Sequence, residues 1–224
     1  MTAPIAQLAR GPAPLVLAST SRWRLAQLAR LGLKFACVKP AYAEEPVAGL
    51  DPRALVAHHA RAKAMAVATL PRWTGAFVLG GDQGVVLDGP GTETELLGKP
   101  GTEDAAVVQL LRLAGRSHVL VTSIALVGPG AAPVWEHTDV TSLTMRPLTA
   151  AEARAYVQRD LPLDCAGSYR IEAAGPWLFD AIAGEDPTAI EGLPLLAVCR
   201  LLRAAGFQLG AELARSLSEK PANS

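Results

Sequence analysis

Apolar and polar positions along the chain alternate between two patterns, short apolar runs and apolar residues spaced by three or four. Leu15–Ala18 is a four-residue apolar run suited to a buried strand. Ser19, Thr20 and Ser21 follow, small hydroxyl residues that favour a helix start. Leu25, Leu28 and Leu31 then recur at the spacing of one helix face, which predicts a helix over Arg22–Leu31. Leu33–Val38 reads as a second strand after Gly32, and Pro40–Leu50 as a loop holding Glu44 and Glu45. Asp51 followed by Pro52 is a cap with proline at the first helical position, opening a helix to about Leu70. Ala76–Gly80 and Gly84–Leu87 read as two short strands either side of Gly81-Asp82-Gln83, with a turn at Asp88-Gly89 and a flexible loop at Pro90–Glu95.

Thr102 caps a helix to about Leu113. Ser117–Val127 and Val134–Met145 are long β-rich runs around GPGAAP, the pattern of an antiparallel hairpin. Thr149 with Glu152 forms a capping box for a helix to about Gln158. Ala166–Ala174 is a polar loop, and Trp177–Ile182 fits a strand or a helical turn. A last helix is expected over Thr188–Ala205, ending at Gly206. Strands interleaved with helices around an antiparallel middle predict an α/β fold with a mixed sheet. Residues 1–13 are expected to be a flexible arm, 14–210 the folded unit and 211–224 a tail.

Composition narrows the partners. Half of the 224 residues are hydrophobic and 19% are charged, as in a packed globular protein. Lys plus Arg and Asp plus Glu are each 21, so no basic field invites a nucleic acid. No apolar run reaches membrane-spanning length, and neither a membrane nor a signal peptide is expected. Cys37, Cys165 and Cys199 lack metal-site spacing and read as buried free thiols of a reducing cytoplasm.

The candidate chemistry starts at the hydroxyl turn. A strand running through Ser19 and Ser21 into a helix collects free N–H groups, hydroxyls and the positive end of the helix dipole, where an anion fits. Arg22 and Arg24 add guanidinium forks suited to phosphate. Asp82, after two glycines, is either a turn residue or a general base or metal ligand. Lys99, between Gly98 and Pro100, and Lys63, on an Ala-rich helix, are loop and helix lysines or phosphate contacts. Glu44 and Glu45 could share a divalent cation with Asp82. Trp23, between two arginines, is a half-buried core residue or a stacking platform for a base. Glu172 could accept two N–H bonds from a guanine edge.

In this order, LASTSRWR, the acidic loop at Glu44, GGDQ, GKP, CAGSYRIEAAG and LFDAIAGEDPTAIEGLPL resemble the Maf family of nucleoside triphosphate pyrophosphatases. The resemblance implies an inosine-triphosphatase-like fold, a twisted mixed sheet with flanking helices and two lobes around a cleft, usually as a homodimer. It implies hydrolysis of a small-molecule nucleoside triphosphate between the α- and β-phosphates with a divalent cation, Mg²⁺ or Mn²⁺. Asp82 falls on the family's catalytic aspartate. Ser19, Arg24, Glu44, Lys63 and Lys99 match phosphate or metal positions. Trp23, Gln83 and Glu172 together look like the branch acting on 7-methyl-GTP rather than on dTTP or UTP. N7-methylation makes guanine cationic, and a cation over indole gains about 0.5–2 kcal/mol. The chain departs from the pattern at Arg22, where proline is usual, at Ala43 and Ala173, and at Glu191, where an apolar residue is usual. Two rival readings are a dTTP/UTP pyrophosphatase of the same family and a non-catalytic nucleotide-sensing regulator of division.

Overall fold

The computed structural model describes residues 9–87 and 94–210. The expected turn at Asp88-Gly89, most of the Pro90–Glu95 loop, the tail after Gly210 and the first eight residues of the arm lie outside that range. Ala9–Arg10 (β1), expected to be part of a loose arm, instead pairs antiparallel with Gln208–Leu209 (β9), because the end of the chain returns beside it.

The main sheet has seven strands: Leu15–Ala18 (β2), Phe35–Cys37 (β3), Phe77–Leu87 (β4), Glu95–Leu97 (β5), Ser117–Val127 (β6), Val134–Met145 (β7) and Phe179–Ala183 (β8). The order is β3-β2-β4-β6-β7-β8, with β5 also on β4. β2 runs parallel to β3 and β4, and the other pairs are antiparallel, so the sheet is mixed as expected. The β6–β7 hairpin has the expected bounds. Cys37 is exposed rather than buried, because β3 is an edge strand.

β4 is one eleven-residue strand, where the chain pattern suggests two strands around a turn. Its glycines do not break it because they make room. A Cβ on Gly80 would stand 2.4 Å from the Ala60 carbonyl oxygen and 2.7 Å from the Ala64 nitrogen. Those residues belong to helix α2, Pro52–Ala68, which therefore lies directly on the strand. Strand side chains alternate between faces. On the α2 face, Val16, Ala18 and Val78 pack with Ala64 and Val67.

The opposite face carries two separate clusters. Leu17, Leu79, Ile124 and Leu126 pack with Leu28 of α1 (Arg22–Ala29) and Val198 and Leu202 of α5 (Leu195–Ala204). Val85, Leu120 and Leu143 pack with Leu110 and Leu113 of α3 (Glu103–Leu113) and Tyr156 of α4 (Ala150–Asp160). Leu120 and Ile124, four residues apart on β6, thus belong to different clusters, with buried Thr122 between them. No helix among the described residues is long and apolar enough to cross a membrane.

The neighbours of β4 explain where the molecule opens. β6 pairs with it along one side. On the other side β2 reaches only Gly80, paired with Ala18, and β5 begins only at Val85, paired with Leu97. Between them Gly81–Gly84 have no strand partner on that side among the described residues. The chain leaving β2 and the chain leaving β5 both run towards this gap.

Candidate active site

A cavity of about 1130 Å³ occupies the gap. It is lined by all the residues singled out from the sequence: Ser19, Ser21, Trp23, Arg24, Glu44, Lys63, Asp82, Gln83, Lys99 and Glu172. The hydroxyl turn and the carboxylate of Asp82 therefore face one space. Asp82 sits mid-strand rather than at a strand end, as the sequence pattern suggests, because β4 is continuous.

Asp82 points to the α2 face. The glycines at 80 and 84, on the same face, draw α2 close, and the buried Lys63 ammonium meets Asp82 Oδ1 at 2.6 Å. The same ammonium meets Glu44 Oε1 at 2.6 Å. Two carboxylates thus converge on a single cation. Burial alone would raise the Glu44 pKa, but the hydrogen bond from Lys63, with the charges of Lys63, Lys99 and Arg24, brings it below its ordinary value. A divalent cation is commonly held by one or two carboxylates plus substrate phosphates, so this pair fits such an ion. Among the described residues no group of three or more His, Cys, Asp or Glu side chains is placed to hold a metal alone.

On the β2 side, Ser19 Oγ accepts from Ser21 N at 3.1 Å and Ser21 caps α1 by accepting from Arg24 N at 3.4 Å. The first turn of α1 has no acidic residue and carries Arg22 and Arg24 instead. Cations at the positive end of a helix are electrostatically unfavourable unless an anion joins them. Arg24 donates from Nε to the Gly192 carbonyl at 3.1 Å, which aims the remaining nitrogens. Burial lowers its pKa, and the nearby charges of Asp82 and Glu44 oppose that.

Gln83, on the other face of β4, has a different job from the one its place in the motif suggests. Its Nε2 donates to Thr122 Oγ1 at 2.9 Å and to the Ala189 carbonyl at 3.0 Å. Gln83 therefore ties the sheet to the Ala189–Glu191 turn and offers its ligand at most an acceptor oxygen.

The sequence reading overlooked Arg170, although it lies within the quoted CAGSYRIEAAG segment. Arg170 donates to the carbonyls of Asp160 (2.6 Å) and Leu161 (2.8 Å) and to Asp164 Oδ1 (3.0 Å). Its guanidinium also lies 5.1 Å from the centre of the Trp23 ring, and that of Arg22 lies 4.4 Å away. Trp23 is half-buried, and its ring attracts planar cations. Burial raises the pKa of Glu172, the charge of Arg170 lowers it, and those of Glu191 and Asp160 raise it further.

A profile of Maf-like proteins matches residues 14–205. The chain belongs to the Maf family. It is 45% identical over 195 residues to a protein of Xanthomonas oryzae pv. oryzae named 7-methyl-GTP pyrophosphatase, covering 87% of this chain and 98% of that one. A Burkholderia orbicola protein of the same name is 41% identical over 199 residues, covering 88% and 92%. In this Maf protein the family's segments converge on one cavity.

Proposed function

We propose that this Maf protein is a nucleoside triphosphate pyrophosphatase that hydrolyses 7-methyl-GTP to 7-methyl-GMP and pyrophosphate. The observation that carries the reading is the shared cavity. An anion seat at the start of α1 and a lysine-bridged carboxylate pair lie on opposite sides of one gap in the sheet. The names of the similar Xanthomonas and Burkholderia proteins support the substrate.

Asp82 accepts a proton from the water that attacks the α-phosphorus. The bond from that phosphorus to the bridging oxygen breaks, and pyrophosphate leaves with the negative charge. Ser19, Ser21 and Arg24 bind phosphate oxygens, and Lys63 and Lys99 offset the charge that grows on the leaving group. Glu44 and Asp82 would hold a Mg²⁺ or Mn²⁺ ion, which when bound supplies Lewis-acid polarisation of phosphate oxygens. Trp23 receives the base. Its ring already attracts guanidinium, which is planar, delocalised and cationic like a 7-methylguanine ring. Glu172 accepts from the N–H edge of the base, which a uracil edge with two carbonyls does not match. The inosine-triphosphatase-like assignment, a cytoplasmic location and a homodimer complete the proposal. A monomer by sedimentation would remove the last of these and leave the site reading intact.

The experiment is a nucleotide panel with pyrophosphate detection, run with and without Mg²⁺. Asp82→Asn is expected to lose pyrophosphate release at least about a thousandfold while still binding nucleotide, as for loss of a general base with other groups in place. A fully active Asp82→Asn protein overturns the mechanism. Trp23→Ala is expected to lose about tenfold or more on 7-methyl-GTP and much less on UTP. Equal losses overturn the base assignment.

A further inference from the structure

Two guanidiniums touch Trp23, and they are held differently. Arg170 is fixed by three hydrogen bonds to the segment 160–164. Arg22 is exposed, and among the described residues its guanidinium makes no hydrogen bond or ion pair; the Trp23 ring, 4.4 Å away, is its partner. Adjacent helix residues do not face one another, so Arg22 has to fold back to reach that ring. Neighbour stacking alone means little, since Arg72 lies 4.9 Å over Trp73 outside the cavity. Arg22 differs because both it and the ring it covers line the cavity.

We infer that Arg22 is a resident cation on the base platform, which the substrate base displaces on binding. The inference rests on the assignment of Trp23 to the base. A planar cation seated on the ring holds it in a form that excludes a second one, and the ring becomes free only when the Arg22 side chain swings to solvent. Apparent affinity then falls by the fraction of molecules with the ring free. That fraction is a property of the protein, so it weakens every base by the same factor. Arg22 therefore sets the strength of base binding and not the choice of base, which stays with Trp23 and Glu172. The pinned Arg170 remains against the ring throughout.

The test uses the product 7-methyl-GMP and unmethylated GMP as probes, with the full chain. Neither carries the triphosphate, so phosphate contacts of Arg22 weigh little. Arg22→Ala is expected to tighten binding of both nucleotides by the same factor, about two- to fivefold, from the strength of an exposed cation–π contact. The gain is expected to vanish when Trp23→Ala is added. Unchanged or weakened binding, a gain for one nucleotide alone, or a gain that survives Trp23→Ala each overturns the inference. Failure of the underlying base assignment shows separately, as a Trp23→Ala protein that binds 7-methyl-GMP as well as the wild type does.

Discussion

At the scale of single residues, Gly80 decides how near catalysis can come to a helix. Its missing side chain is what lets the Ala60 carbonyl approach β4 and lets Lys63 reach Asp82 at 2.6 Å. Gly80→Ala forces backbone against backbone, so it is expected to destabilise by about 1–3 kcal/mol, read as a lower urea midpoint. It is also expected to lower turnover by parting Lys63 from Asp82. The sequence pattern assigns these glycines to a turn, because nothing in β4 alone shows the helix lying across it. Elsewhere single residues were legible. Ser19, Asp82 and Lys99 are found together because their flanking small residues mark close backbone approach. Gln27 was not legible. The spacing of leucines puts Leu25 on the buried face of α1, yet Leu25 is 44% exposed, while Gln27 is buried and donates to the Thr188 carbonyl at 2.8 Å. Helix periodicity ranks a glutamine as outward-facing when its partner lies 161 residues away.

At the scale of elements, helices with local caps were read to within two residues. Asp51-Pro52, Thr102 and the Thr149–Glu152 box each start a helix where expected. α5 shows the limit of that reading. The apolar pattern suggests a start near Thr188, but the helix begins at Leu195 because Gly192, at φ 121°, and Pro194 interrupt it. Its cap comes from outside. Thr188 Oγ1 accepts from Leu195 N at 2.7 Å, and buried Asp186 accepts from Leu196 N at 2.7 Å and from Thr188 N at 3.0 Å. The intervening turn carries Gly192, whose carbonyl holds Arg24. Asp186→Ala is expected to cost about 2–3 kcal/mol, through a lost cap and unpaired N–H groups, in equilibrium unfolding. A change below about 0.5 kcal/mol contradicts this account of the cap.

At the scale of the whole molecule, stability leans on His118, buried on β6 within ring-contact distance of Tyr169 and Phe179. Burial pulls its pKa down from 6.5 to about 4. The unfolded chain therefore binds more protons between those values, and stability falls as pH drops from about 6.5 towards 4. The loss reaches at most about 3 kcal/mol. Urea midpoints at pH 7 and pH 5 are expected to differ more for the wild type than for His118→Gln, and equal shifts refute the assignment. The mixed sheet was foreseeable from the order of runs, whereas the gap beside β4 was not, since it depends on where β2 stops and β5 starts in space. That gap leaves main-chain groups of residues 81–84 without the rungs that join strands elsewhere. A nucleotide lying across it becomes a splint between the α1 side and the α3 side of the barrel-less sheet, tied into the main chain as a neighbouring strand would be. Letting go of product then reopens a seam, so how tightly this protein grips and how firmly its halves are knit are settled by the same few peptide units.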